Sequence, residues 1–385
     1  MTSTVGVSSS RAAVPPDAPV IAFAMDQIAG HVTNYRNIRH SIEAGETAPI
    51  DPRWIEVEYH KSDGRIERVA DALRVIPSYP TGVSRGALEM HRGLRANADA
   101  DAIFTNASVA LFFCRRFGKT PTLYDFDSTP HQLDEMEAYT PERDPAPVER
   151  LKFVMQRRLF RDATRLQAWS NWAKQSVVDD YGIDPDKIVV NPPGIDLDNW
   201  ARVDRTFHRE TGRPARVLLV GSDFDRKGGP ELLDWFTGQN STDIELDIVT
   251  REPIDAPPGV RIHNGLGPND PALLRLYGAA DVFVLPSRGE CFGIAAIEAM
   301  ATGLPVVQST VGGAHDIVDD GGNGFLVPPN DPDALGNAIT GVLDDAAKWA
   351  SMCRRSHELA TQHFDLRVTT RRTVDQLVEL AASDS

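Results

Sequence analysis

The 385-residue sequence lacks several features that would place it in a specialised class of protein. Its three cysteines, Cys114, Cys291 and Cys353, are far apart and show no CxxC spacing. Neither a disulfide framework nor a zinc site is therefore expected, and a reducing cytoplasm is favoured. No apolar run reaches the roughly 18 residues of a membrane-spanning helix. Residues 1–17 contain no apolar core of a secretory signal, so we expect a disordered tail there.

The chain is also short of positive charge. Its formal net charge is −15, which argues against nucleic acid as the main partner, because binding to phosphate backbones needs a basic face. An anionic small molecule is not excluded, since it needs only a few local cations. The remaining composition, 41% hydrophobic and 25% charged, is typical of a globular chain with about two or three domains.

Short apolar runs alternate with longer helical patterns along the chain. This alternation predicts parallel sheets covered by helices on both faces. We therefore predict an α/β protein with two Rossmann-like domains, 18–200 and 201–365, that face each other across a cleft. A last helix over 366–385 is expected, with packing against the first domain as one option. The candidate strands are residues 20–24, 54–59, 102–104, 121–126, 166–169, 187–190, 216–220, 246–250, 260–263, 281–285, 305–308 and 325–327.

Charged residues follow several of these strands. Arg226 and Lys227 come just before a helix that starts near Pro230, where N–H groups and the helix dipole favour an anion. The alternative is a solvated basic loop. Glu290 and Glu298 flank an apolar helix start, and a buried carboxylate there is costly unless it is hydrogen-bonded. Sugar hydroxyls and a nearby arginine are both possible partners for Glu298.

Two further segments leave alternatives open. The glycines of segment 310–316 permit either close approach to a ligand or a tight turn. In segment 124–131, which ends a predicted strand, Asp127 and His131 are expected at the rim of the cleft. For His131, an exposed loop histidine is the alternative.

Taken together, these segments resemble glycosyltransferase family 4, whose members are retaining enzymes with the GT-B fold. The resemblance covers residues 165–345 well and the first 160 residues weakly, as expected if that half recognises the acceptor. It is carried by the Glu290…Glu298 motif and by segments 170–172, 191–196, 227–228, 298–307 and 322–328.

The resemblance implies that the second domain binds a nucleotide-diphosphate sugar (UDP-, GDP- or ADP-sugar) as co-substrate, with no bound cofactor and no metal. Glu298 would bind the ribose, Glu290 the donor sugar and Lys227 the diphosphate. The implied catalytic residues are Asp127, His131, Lys227 and Glu290. The other implied donor-binding residues are Gly30, Gly221, Arg226, Leu266, Phe292 and Gly293.

Two positions depart from the family pattern. Ser222 stands where the family commonly has an arginine, and Arg226 is a candidate substitute. Asp127 stands where the family commonly has a histidine near the anomeric carbon, so either Asp127 or His131 is expected to face the sugar.

The expected function is retaining transfer of a sugar to a hydroxyl acceptor, which could be a sugar, a glycan, a lipid or a small molecule. Alternatives are a non-catalytic sugar-nucleotide scaffold and another GT-B enzyme, such as an epimerase. A phosphorylase would need a longer chain, and a Rossmann oxidoreductase would need a G-x-G-x-x-G motif.

The helical pattern over residues 149–165 is rich in arginine and lysine. Basic amphipathic helices can lie on anionic membranes, but such a helix on an acidic protein can equally be solvated. We therefore expect a cytoplasmic protein, with peripheral contact at the inner membrane face left open. The basic residues of this pattern are Arg150, Lys152, Arg157, Arg158, Arg161 and Arg165.

Overall fold

The computed structural model describes residues 15–59, 78–139, 144–200, 206–209, 212–239, 242–267 and 270–383. Within these ranges the chain forms two six-stranded parallel sheets with helices packed against them. The predicted α/β fold is therefore confirmed. Most of the predicted tail, residues 1–14, lies outside the described residues.

The first sheet has the order β2-β1-β3-β4-β5-β6. Its strands are buried because parallel sheets are covered on both faces, and β1, β3 and β4 are almost entirely inaccessible to solvent. The strands are β1 (Val20–Asp26), β2 (Asp51–Val57), β3 (Ala102–Thr105), β4 (Thr122–Phe126), β5 (Arg165–Ala168) and β6 (Ile188–Val190). The helices are α1 (Ala29–Glu43), α2 (Ser78–Ala96), α3 (Cys114–Phe117), α4 (Pro130–Glu135), α5 (Ala146–Asp162), α6 (Asn171–Asp179) and α7 (Leu197–Trp200).

The second sheet has the order β12-β11-β10-β7-β8-β9. The central strand β10 is fully buried. The strands are β7 (Ala215–Val220), β8 (Ile244–Val249), β9 (Val260–His263), β10 (Val282–Leu285), β11 (Val306–Ser309) and β12 (Gly324–Val327). The helices are α8 (Gly229–Gly238), α9 (Pro271–Ala279), α10 (Ile294–Ala301), α11 (Pro332–Leu343) and α12 (Ala346–His363).

The last helix, α13 (Leu366–Ser383), packs against α1, β3 and β4 of the first sheet. Its apolar face joins the core there, with Val374 and Leu377 fully buried beside Phe23. Asn191, just after β6, donates from Nδ2 to the Thr369 carbonyl and to Thr373 Oγ1, at 3.0 Å each. The first domain is thus completed by the end of the chain.

Two element boundaries differ from the sequence prediction by three residues, for clear reasons. Strand β2 begins at Asp51, because backbone pairing with β1 continues through Pro52 and Arg53 although those residues are not apolar. Helix α5 ends at Asp162, so Arg165 belongs to β5 and not to the basic helix as predicted. In both cases the tertiary pairing of strands overrides the local residue pattern.

Candidate active site

The carboxyl ends of the two sheets face each other, and side chains make contact across the gap. A Cβ atom on Gly30, in the first turn of α1, would lie 3.1 Å from Cδ1 of Ile294, the first residue of α10. The rings of Trp169 and Phe292 meet edge to face, with centroids 6.0 Å apart. In open α/β sheets ligands bind at this edge, so we place the candidate site there.

Lys227 and Glu290 form an ion pair at the end of the second sheet. Their side chains are 13% and 9% exposed, so the pair is largely shielded from solvent. A Cβ atom on Gly221 would lie 2.4 Å from Lys227 Cγ, so the glycine is needed to let the lysine stem pass. The two side chains to which the resemblance assigns the diphosphate and the donor sugar are therefore adjacent.

Arg226 is held by residues from both domains. Its Nη1 donates to the Tyr139 hydroxyl at 2.8 Å and to the Gly289 carbonyl at 2.9 Å. Its Nε lies 3.2 Å from Asp223 Oδ2, and its guanidinium lies 4.7 Å from the centroid of the Tyr139 ring. Arg226 thus links the first domain to the Glu290 loop, as well as being a cation near the site.

The loop between β10 and α10 is fixed by the segment that follows β11. The Gly313 amide donates to the Cys291 carbonyl at 2.9 Å, and Ser309 Oγ donates to the Ser287 carbonyl at 2.6 Å. Gly293 has φ +107°, a left-handed conformation that side-chain-bearing residues rarely adopt, and it turns the chain into α10. The glycine segment 310–316 therefore supports the Glu290 loop.

Glu298 lies inside the second domain on α10. It is 6% exposed, and Tyr277 of α9 donates its hydroxyl to Glu298 Oε2 at 3.0 Å. Burial raises the pKa of Glu298 to about 7, although the bond from Tyr277 acts to lower it. The sequence left sugar hydroxyls and an arginine open as partners of Glu298; the structure instead shows a tyrosine bonded to this carboxylate, and the sugar hydroxyls stay a prediction.

His31, which the sequence reasoning missed, forms the centre of a charged cluster in the first domain. Its Nδ1 lies 2.6 Å from Asp26 Oδ1, and its Nε2 lies 3.6 Å from Asp127 Oδ2. Burial acts to lower the pKa of His31, but the carboxylates of Asp26 and Asp127 outweigh it and raise the pKa well above its ordinary value. Burial acts to raise the pKa of Asp127, but its bond with His31 holds that pKa below the usual range. We therefore infer an imidazolium between two carboxylates.

The structure separates His131 from this cluster. The His131 ring lies on α4 and contacts Glu135 at 3.5 Å and Asp180 at 3.8 Å, with 45% of the side chain exposed. Asp127, at the end of β4, is the residue of segment 124–131 that contacts His31. Trp169 packs against the cluster, where its ring and the His31 ring meet edge to face. The Trp169 ring is itself held in place, because its Nε1 donates to Asp125 Oδ2 at 2.8 Å.

The remaining residues implied by the resemblance lie around the second sheet. Phe292 is buried between Trp169 and Phe364, so its backbone, rather than its ring, is available to a ligand. Leu266 follows β9 and packs partly into the core of the second domain. Beside it, Asn264 donates from Nδ2 to the Thr250 carbonyl at 2.9 Å, which ties the β8 and β9 loops together.

Helices α1, α8 and α10 all begin without a side-chain cap. Their N-cap residues are Ile28, Gly228 and Gly293, whereas α4, α6 and α9 are capped by Thr129, Ser170 and Asp270. The uncapped first-turn N–H groups remain available to an anion. Lys227 directly precedes one of these helix ends, and Glu290 lies in the loop that leads to another.

Two features are absent from the described part of the chain. Among its helices, none combines the length and the hydropathy of a membrane span. Among its histidine, cysteine and carboxylate side chains, no group of three or more is placed to hold a metal ion.

Both halves of the chain match family models. Residues 50–199 match the model described as Glycosyltransferase Family 4, and residues 209–345 match the one described as Glycosyl transferases group 1. A curated relative, D-inositol 3-phosphate glycosyltransferase from Geodermatophilus obscurus, is 34% identical over 258 residues. That alignment covers 60% of this chain and 55% of the relative, so this chain matches little more than half of that protein.

Solved structures extend the likeness over nearly the whole fold. Sucrose-phosphate synthase from Thermosynechococcus elongatus has a TM-score of 0.72 at 20% identity, with 95% of this chain and 100% of that chain covered. HepE from Anabaena in complex with UDP has a TM-score of 0.67 at 18% identity, with 93% and 99% covered. At these identities the likeness shows the GT-B fold, and the two family matches establish that the chain belongs to the glycosyltransferases, with a Glycosyltransferase Family 4 domain followed by a Glycosyl transferases group 1 domain.

Proposed function

We propose that the protein is a retaining glycosyltransferase, which moves a sugar from a nucleotide-diphosphate donor to a hydroxyl acceptor. One observation carries this proposal: the largely buried Lys227–Glu290 pair joins the two segments that lead into the uncapped starts of α8 and α10. A cation beside helix N-termini suits a diphosphate, and an adjacent carboxylate suits sugar hydroxyls. Both halves of a nucleotide sugar thus have suitable partners at one place.

The chemistry demanded of the site is stabilisation of a leaving group. Negative charge grows on the diphosphate as the bond to the sugar breaks, so Lys227 and the helix N-termini interact more strongly with the transition state than with the donor. Release from Glu290 frees the Lys227 ammonium for the phosphates. Arg226 also contributes positive charge, but its guanidinium is less free to move than the Lys227 ammonium, because it is already bonded to Tyr139 and Gly289.

The first domain supplies the face against which the sugar reacts. Asp127 lies at the end of β4, and His31 holds it as an ionised carboxylate. We assign Asp127, rather than His131, to the donor sugar, because His131 is engaged with Glu135 and Asp180. We propose retention of configuration, which the family likeness supports: the acceptor hydroxyl attacks on the face that the diphosphate leaves, and a departing phosphate oxygen accepts its proton.

The relatives suggest where to look for substrates. HepE was solved with UDP, so UDP-sugars are tested first, followed by GDP- and ADP-sugars. The relative named for D-inositol 3-phosphate makes a cyclitol phosphate the first acceptor to try. Because protein groups provide the positive charge at the site, we propose a metal-independent reaction. The free, buried cysteines support a reducing cytoplasm.

The experiment is a thermal-shift screen of UDP-, GDP- and ADP-sugars, followed by an assay for release of the nucleoside diphosphate with and without acceptor. A ligand that binds only the folded state raises the midpoint temperature. The proposal predicts that one donor raises it and that acceptor-dependent release follows. Binding without transfer or hydrolysis with any acceptor would favour the scaffold alternative instead.

Contact with a membrane surface is a separate proposal, which rests on α5. Val148, Leu151 and Val154 recur along this helix and are 42%, 59% and 55% exposed. Four exposed arginines lie on the same helix of an otherwise acidic protein: Arg150, Arg157, Arg158 and Arg161. We propose that this surface docks on an anionic lipid bilayer, because such a surface attracts the arginines and accepts the apolar side chains.

The test is co-sedimentation with phosphatidylcholine vesicles, with and without phosphatidylglycerol. Binding that needs the anionic lipid and is lost in Leu151→Glu/Val154→Glu supports the proposal. Leu88→Glu, at an exposed apolar position on α2, is the matched control and should leave binding unchanged. Equal recovery of wild type with both vesicle types, or none with either, would contradict the proposal.

A further inference from the structure

Tyr277 contacts a carboxylate to which the proposed function gives a role. We propose that Tyr277 is the positioning residue for Glu298, and that it thereby sets the preference of the site for nucleotides with free ribose hydroxyls. The inference rests on the proposed function for the identity of the ligand. It adds a residue from α9, separated in sequence from the Glu290…Glu298 motif by the whole of strand β10.

The geometry fixes one carboxylate oxygen and leaves the other. The Tyr277 hydroxyl donates to Glu298 Oε2 at 3.0 Å, and no part of Tyr277 is exposed. Its ring is held edge to face by Trp200, with centroids 5.1 Å apart, and stacks on Phe283 at 5.8 Å. Because the phenol cannot move without disturbing this core, it orients the carboxylate and leaves Oε1 for the ribose.

The surroundings of Glu298 make such a partner necessary. Helix α10 is apolar around it, and an ionised carboxylate in an apolar environment is costly unless it is hydrogen-bonded. Burial raises the pKa of Glu298 to about 7, and the bond from Tyr277 opposes that rise. Without the phenol, the carboxyl would be neutral over more of the physiological range and free to rotate.

The phenol has a second acceptor that suits the neutral state. Its oxygen also lies 3.1 Å from the Ala295 carbonyl. When Glu298 is ionised, the phenol donates to it. When Glu298 is protonated, the carboxyl donates to the phenol oxygen, and the phenol proton turns to Ala295. A second titratable group, His357 of α12, also contacts α10. It lies at the other end of that helix, where its Nδ1 is 3.2 Å from the Ala301 carbonyl.

The test compares Tyr277→Phe with wild type by calorimetry. The probes are UDP, GDP and ADP, and the 2′,3′-dideoxy form of the nucleotide that binds. Loss of the phenol should weaken ribonucleotide binding about tenfold, and it should leave the affinity for the dideoxy form unchanged. Tyr181→Phe, at a buried tyrosine of the first domain, is the matched control and should bind both forms as wild type does.

A double mutant keeps the test decisive. Adding Tyr277→Phe to Glu298→Gln should cause little further loss, because the positioned carboxylate is already gone. Equal weakening of the ribo and dideoxy forms, or additive losses in the double mutant, would overturn the inference and make Tyr277 a core residue only. If wild type binds a nucleotide and Tyr277→Phe matches it, this inference alone fails. If wild type binds none, the proposed function fails as well.

Discussion

Replacement of Glu298 by glutamine should weaken nucleotide binding while it stabilises the free protein. The carboxylate is buried on α10 and is held by Tyr277. An amide of the same shape removes the charge that the ribose hydroxyls would bond, but it also removes a charge that the apolar helix tolerates poorly. The two effects have opposite signs, and both follow from the same burial.

The magnitudes come from the pKa and from the hydrogen bonds. Burial raises the pKa of Glu298 from 4.5 to about 7, so the ionised carboxyl costs the folded state stability as pH rises through that interval. The full difference corresponds to about 3 kcal/mol above pH 7 and to almost nothing below pH 4.5. A charge-assisted hydrogen bond contributes about 1.5–3 kcal/mol, so the affinity should fall about tenfold or more.

Two assays separate the effects. Urea unfolding at pH 5 and pH 8 should show the free energy of unfolding of Glu298→Gln rising relative to wild type by much more at the higher pH. Calorimetry at pH 8 should show weaker binding of the free nucleoside diphosphate. A stability difference that is the same at both pH values, or an unchanged affinity, would refute the reasoning about this carboxylate.

Three further predictions concern the charges at the site. Lys227→Ala should lower kcat by about 10²-fold or more with a smaller change in donor KM, because the lysine charge acts mainly on the transition state. The check is steady-state kinetics of a variant that circular dichroism shows to be folded, and a wild-type kcat would contradict the prediction. Activity should survive excess EDTA, and its complete loss with recovery in Mg²⁺ or Mn²⁺ would show that a metal is required. His31→Asn should move the acidic limb of the kcat/KM profile to higher pH, because His31 no longer holds the pKa of Asp127 down; superimposable profiles would exclude that role.

The sheets were predictable from sequence because of how they are buried. A parallel strand covered on both faces is a continuous apolar run, and β10 appears in the sequence as such a run. Strand β2 was misplaced at its start because Asp51 and Arg53 are polar and only the pairing with β1 recruits them. Local pattern alone does not contain that pairing.

The proximity of Lys227 and Glu290 was predictable and the first-domain cluster was not, for a physical reason. Lys227 and Glu290 each stand in a segment that follows a strand of the second sheet and leads into a helix, so both lie at the same edge of that sheet. His31 acquires its character from Asp127, almost 100 residues away, through the order of strands β1, β3 and β4. The sequence contains one signal for this cluster, a histidine soon after the aspartate that ends β1. Without the strand order, that pair does not predict a contact with Asp127.

Tyr277 illustrates the same limit within one domain. Its hydroxyl reaches Glu298 only because α9, which precedes β10 in the chain, and α10, which follows it, pack side by side against the same sheet. In sequence it is one apolar residue in an amphipathic helix. Its contact with the carboxylate is visible only once the sheet is assembled.

The central claim is tested most directly by following the product's anomeric configuration with proton NMR during turnover. The protein is incubated with the donor that the thermal-shift screen identifies and with a hydroxyl acceptor. The account predicts that an α-linked donor yields, as the first product, an α-glycoside with its small H1–H2 coupling, together with one nucleoside diphosphate for each bond formed. A β-glycoside as the first product, or binding of the donor without any new glycoside, would contradict it.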